Sequence, residues 1–205
     1  MKEFSGDPEF PIWLIGESPP ENWKDKLDFP LDAKHPAIHN IWTPVLDSLQ
    51  DRLFRQQRRR LDTSHLYIRN AIDVPLPVST PEQQQQATEK LRKLINKYKP
   101  QIVLTFGVYA FLSTSLAAGQ PFQTPPDTTQ LLGQQFRNCI SNYNSRQTNV
   151  IPLLHISIAW GKFLGAHRAF IGPDNKEHDN YFNYVGEKLA DLLLDYFSSK
   201  QIWVT

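Results

Sequence analysis

Four short apolar runs in this chain end in residues that can do chemistry. "PIWLI" (11–15) stops at Gly16-Glu17-Ser18, "LYIRN" (66–70) ends on Asn70, "QIVLTF" (101–106) leads into Gly107, and "VIPLLH" (150–155) delivers His155-Ile156-Ser157. Together the tails supply a carboxylate, a side-chain amide, a glycine and an imidazole. The first tail continues into Pro19 and Pro20, so a charged turn stiffened by two prolines closes an apolar strand. Such a turn occurs as a plain loop, and also where backbone and side chain are aimed at a ligand. In open α/β sheets ligands bind beyond the carboxyl ends of the strands. That rule puts the four tails on one rim, with the stiff turn as one wall of a pocket.

The elements that would position these tails follow from hydrophobic spacing. Each run is short and mostly uninterrupted, as expected of strands buried on both faces. Between them lie helical patterns. Residues 43–60 place Val45, Leu46, Leu49, Leu53 and Phe54 on one stripe, with Thr43 as N-cap and Pro44 in the first turn. In the next helix Thr80 caps, Pro81 opens, Leu91, Leu94, Ile95 and Tyr98 face inward, and Pro100 ends it; the glutamines at 83–86 form its solvated face. Gly107 to Leu116 predicts a third helix, and residues 180–198 an amphipathic C-terminal one. "QQFRNCIS" (134–141) reads as a strand pairing with the fourth run. Alternating strands and helices imply parallel β units with helices on both faces.

Composition narrows the class. A chain of 205 residues with 40% hydrophobic content is long enough for one core and predicts one globular domain, 1–205. No apolar run approaches the ~20 residues of a membrane span, and the first ten residues lack the apolar segment of a secretory leader. A cytoplasmic location is expected, nuclear if the source is eukaryotic. The single cysteine, Cys139, excludes an intrachain disulfide and any all-cysteine cluster. His35 and His39 have no further His or Cys nearby to complete a zinc set, so neither metal nor cofactor is expected. A net charge of +1 argues against a wholly basic nucleic-acid-binding surface but leaves room for a local basic face. Arg55, Arg58, Arg59 and Arg60 end a helix, where cations complement the dipole; a phosphate or partner patch is the sharper alternative.

Four segments resemble the uracil-DNA glycosylase superfamily, in that family's order. "LIGESPP" is similar to its first motif, G-E-A-P-G in the iron–sulfur branch and G-Q-D-P-Y in the best-known branch. "LYIRNAI" resembles the strand that delivers the base-reading asparagine. "KYKPQIVLTFGVYAF" resembles the helix–strand–glycine segment, and "LLHISIAW" the second motif, H-P-S-P-L, with Ile156 and Ile158 in place of both prolines. The likeness spans residues 11 to about 164. It implies a three-layer α/β/α sandwich around a four-stranded parallel sheet, and hydrolysis of the N-glycosidic bond of uracil, or a related deaminated base, in DNA.

The resemblance also implies roles. His155 would donate a hydrogen bond to uracil O2, where leaving-group charge gathers; the plain alternative is a core histidine bonded to backbone. Asn70 would accept from uracil N3–H and donate to O4, a match that cytosine reverses; the alternative is a strand-ending turn cap. Gly16, Ser18 and Pro20 would line the base pocket beside Glu17. The best-known branch has aspartate at the position of Ser18, so Glu17 becomes the candidate for positioning water or facing the cationic sugar. Phe29, or else Trp23, would stack on the base. Ser157 and the patch Lys162, His167 and Arg168 would meet DNA phosphates. The wedge leucine of the motif corresponds to Ala159, too small to hold a duplex open, unless Trp160 replaces it; single-stranded or damaged DNA is therefore the expected partner.

The cluster-binding cysteines of the iron–sulfur branch are absent. The departures at Ser18, Pro20, Ile156, Ile158 and Ala159 motivate a second reading: a relative that binds nucleic acid or a protein partner without catalysis. A nucleotide-binding protein of another class is a third, against which the lack of G-x-G-x-x-G or a P-loop counts.

Overall fold

The computed structural model describes residues 2–22, 26–30, 32, 34, 38–120, 125–155, 164–173, 175, 177, 178 and 180–204, with 38–42 described by backbone alone. In chain order the elements are β1 (Phe4–Ser5), β2 (Ile12–Gly16), α1 (Ile38–Gln57), β3 (Tyr67–Asn70), α2 (Pro81–Tyr98), β4 (Ile102–Phe106), α3 (Val108–Ala117), α4 (Thr129–Ser141), β5 (Asn149–Leu153), α5 (Leu164–Ile171) and α6 (Tyr181–Phe197). The class is α/β, with one five-stranded mixed sheet ordered β1-β3-β2-β4-β5.

The four apolar runs are parallel neighbours. Leu14 sits beside Ile68 on one side and Leu104 on the other, and Leu104 beside Ile151. The expected sheet is corrected by one strand: Phe4–Ser5 pairs antiparallel with Arg69 and Ile68. Alternation divides each strand between two cores. Ile12, Leu14, Ile68, Ile102 and Leu104 face a large core with α1, α4, α5 and α6, while Trp13, Ile15, Tyr67 and Val103 face a smaller one with α2 and α3. Both faces are thus buried, as continuous apolar strands require.

Helix α2 forms as its caps dictate. The Thr80 hydroxyl accepts from Gln83 N–H, and the Gln83 side chain accepts from Thr80 N–H. Lys99 closes the helix in the left-handed conformation. Three expectations are corrected. Residues 134–141 are helical, because Thr128 caps a helix whose Leu132 and Phe136 are buried one turn apart. Helix α1 begins at Ile38, upstream of Thr43, and carries Pro44 inside it. A proline there costs ~3 kcal/mol, which burial of Val45, Leu49 and Leu53 at about 1.5–3 kcal/mol each outweighs. Phe54 lies outside the buried stripe, 37% exposed, with the guanidiniums of Arg58 and Arg60 over its ring. No helix among the described residues is long and apolar enough to cross a membrane.

Candidate functional site

Parallel register brings the strand tails to one edge. Gly16 pairs with Asn70 across β2 and β3. Asn70 is buried, and its Oδ1 lies 2.7 Å from where a Cβ on Gly16 would stand. Any side chain at residue 16 would push the amide away, so glycine is what lets the amide occupy this end of the sheet. The following turn is bonded back to the first tail: Ala71 N–H donates to Gly16 O at 2.7 Å and Ile72 N–H to Glu17 O at 3.2 Å.

Glu17 turns toward β4 and β5. Its Oε1 accepts from Tyr109 N–H at 3.0 Å, at the start of α3, where backbone N–H groups lack intrahelical partners and the dipole favours an anion. Its Oε2 lies 3.4 Å from His155 Nε2, with 19% of the carboxylate side chain and 34% of the imidazole exposed. Gly107 makes room for this: its φ is +101°, and a Cβ there would run into the Glu17 carboxylate. The residue before His155 is anchored too, Leu154 N–H donating to the hydroxyl of buried Tyr181 at 2.9 Å. Burial raises the pKa of Tyr181. Burial and then the Glu17 charge raise that of Tyr109.

The structure therefore brings together Gly16, Glu17, Asn70 and His155, with Gly107 as the hinge of the arrangement. Ser18 and Pro20 follow, half-buried, with Pro19 buried between them. Phe29 is half-buried in a loop stapled by Asp32, whose carboxylate accepts from Asp28 N–H and Lys34 N–H at 2.8 Å each. These bonds hold the Asp32 carboxyl below its ordinary value. Among the described residues no hydrogen bond or ring pair ties Phe29 to Gly16, Glu17, Asn70 or His155. Trp23, His35, Ile156, Ser157, Ile158, Ala159, Trp160 and Lys162 lie outside the described residues, as does the side chain of His39.

Two expected surface roles change. Arg168 is exposed on α5, but His167 is buried, packed on Tyr181 and Phe182, and is no part of a phosphate patch. In the arginine cluster, Arg55 pairs with Asp51 and Arg59 donates to Ser198 O at 2.6 Å beneath the Trp203 ring. Arg59 thus fastens the end of α1 to the C-terminal segment, while Arg55, Arg58 and Arg60 pack back on α1 itself.

Sequence reasoning missed Tyr109, Arg69 and Leu164. Leu164, at the start of α5, is 62% exposed, one turn from exposed Arg168. Helical spacing alone would have assigned it to the inward stripe of His167 and Ile171. Among the described residues no group of three or more His, Cys, Asp or Glu is arranged to hold a metal. Comparison with family models gives no match for the chain, and neither does comparison with curated proteins.

Proposed function

We propose that this chain is a DNA-repair glycosylase of the uracil-DNA glycosylase type, hydrolysing the N-glycosidic bond of uracil or a related deaminated base. The observation that carries the reading is the meeting of three strand tails: the buried Asn70 amide against Gly16, and the Glu17 carboxylate against His155. A parallel core order of β3-β2-β4-β5 under helices on both faces is in keeping with the fold of that superfamily.

The chemistry is charge stabilisation. As the bond breaks, negative charge develops on uracil and positive charge on the sugar. In this reading His155, partly exposed and oriented by the Glu17 carboxylate, hydrogen-bonds the departing base, and one preorganised donor contributes about 2.7–4 kcal/mol to such a step. Glu17, anchored through Oε1 to Tyr109, orients His155 and offers its charge to the cationic sugar. Asn70 reads the base edge. Leu164 and Arg168 place an exposed apolar side chain and a cation one turn apart; a large apolar side chain can fill the gap a flipped base leaves. Leu164 thus joins Trp160 as a candidate wedge in place of the motif's leucine, whose position holds Ala159.

The reading is tested by alkaline gel cleavage of a uracil-containing single strand, wild type beside His155→Ala. Strand scission by the wild type, lost in the variant, is expected; no scission on single strand or duplex refutes it. One observation favours the binding-only alternative: Glu17 already has both oxygens directed to protein groups, Tyr109 and His155, and Ser18 offers no second acid.

A further inference from the structure

An amide that discriminates bases must be held against rotation and drift, and the residue placed to do so is Arg69. Its side chain is 0% exposed, although it is a cation within a four-residue buried strand. Its Nε donates to the backbone carbonyl of Asn70 at 3.0 Å. Nη2 lies 3.2 Å from Glu3 Oε1 and 3.8 Å from Asp73 Oδ1. Lys90 of α2 closes the cluster, 2.5 Å from Glu3 Oε1 and 3.4 Å from Asp73 Oδ2. Two cations face two carboxylates, so the charges balance. Among the described residues neither Nη1 nor Nη2 has an aligned hydrogen-bond acceptor. The guanidinium head is held by charge, while Nε gives a directed bond to Asn70.

A buried ion pair is weak evidence for stability, since an apolar side chain of similar volume often serves as well. What an apolar side chain could not do here is fix the Asn70 carbonyl and draw Asp73 inward. Between those two points runs the turn 71–72, whose amides bond to Gly16 and Glu17. Glu3 precedes β1, which pairs Phe4 with Arg69 itself. The same stretch reaches the loop of Phe29, Lys2 N–H donating to Asp28 O at 2.6 Å.

We infer that Arg69, charge-paired by Glu3, is a positioning residue that sets how Asn70 presents its amide and so sharpens base discrimination. The inference rests on the proposed reading of Asn70, and two readouts keep them separable. The first is amide hydrogen exchange by NMR in wild type, Glu3→Gln and Arg69→Lys, which needs no activity. Exchange at Ala71 and Ile72 should rise at least tenfold, while that of Gly107, bonded to Leu153 O across β4 and β5, stays unchanged. The second is the ratio of kcat/KM on uracil to that on cytosine substrates. It should fall at least tenfold in Glu3→Gln, with KM for the uracil substrate little changed, and recover in Glu3→Asp. Arg69→Lys keeps the charge but lacks the Nε–H, and should lose about 10²-fold in kcat, the cost of an ångström-scale misplacement. Glu3 is 36% exposed, so its variant remains informative should Arg69→Lys fail to fold. Unchanged exchange at Ala71 and Ile72 overturns the inference, as does an equal rise at Gly107, or faster exchange without loss of discrimination. If the wild type releases no uracil, the glycosylase reading fails and the exchange result alone decides the clamp.

Discussion

Replacing Gly107 by alanine attacks the site through the cradle of Glu17 while leaving the Asn70 and His155 side chains unaltered. The backbone there has φ +101° and ψ 166°, a region an L side chain occupies at a cost of about 1–3 kcal/mol. The new methyl would also stand where the Glu17 carboxylate lies. Glu17 must then swing away and give up its bond to Tyr109 N–H, and a hydrogen bond to a charged group contributes about 1.5–3 kcal/mol. Gly107→Ala should therefore cost about 2.5–6 kcal/mol in the wild type. In a Glu17→Ala background only the backbone strain remains, about 1–3 kcal/mol. Urea denaturation of the four proteins closes the cycle, and a coupling of about 1.5–3 kcal/mol is expected. Equal cost in both backgrounds would show that Gly107 serves the turn alone and that Glu17 is not held by this cradle. Uracil release should fall in Gly107→Ala at least as far as in Glu17→Gln, because the imidazole loses its orienting partner.

Single-turnover rates should rank His155→Ala below Glu17→Gln. The first removes a donor contributing roughly a hundredfold to a thousandfold; the second keeps an oxygen for Tyr109 N–H and removes only charge. The reverse ranking would make Glu17 the principal catalytic group. Leu164→Ala should slow cleavage of duplex while leaving single strand within twofold, and equal loss on both would remove Leu164 from the wedge role. Arg168 is an exposed cation on α5, and binding to a uracil strand should weaken as salt rises, with a shallow slope; a steep slope would point to a wider basic surface. Asp32 has its folded pKa depressed by Lys34 N–H and Asp28 N–H, so its stabilisation is present above the unfolded carboxylate pKa and lost as pH falls through the lower folded value. Asp32→Asn should therefore lower stability at neutral pH and flatten the acid limb of the stability–pH curve; parallel curves would mean those bonds do not favour the charged form.

The strand tails were legible because apolar continuity and parallel geometry are strong signals: four runs, one direction, one rim. The two-residue β1 was not, since so short an edge strand has no periodicity to read. Residues 134–141 misled because "QQFRNCIS" lacks an obvious helical stripe until Leu132 is counted in. Pro44 looked like a helix start because proline is most at home there, but buried aliphatics on its C-terminal side sustain the helix through it. Within the site, Glu17, Asn70 and His155 could be named from residue type and place. Their pairing could not, because it depends on Tyr109 N–H, a backbone group invisible to residue type. Arg69 left a clear mark, a cation inside "LYIRN", and was overlooked because attention went to its neighbour.

The sheet order also governs how the molecule comes to exist. Leu14 pairs with both Ile68 and Leu104, and Leu104 with Ile151, so the central strand precedes both of its neighbours in the chain and lies far from the second of them in sequence. Loops of this length must close before the pairings compensate for their entropy, which slows folding relative to helical proteins of similar size. The rim draws on all of these strands, Gly16 and Asn70 from the β2–β3 pairing and Gly107 and His155 from just beyond β4 and β5. The β2–β3 pairing alone brings Gly16 to Asn70, whereas Glu17 meets Gly107 and His155 only once β4 and β5 have docked.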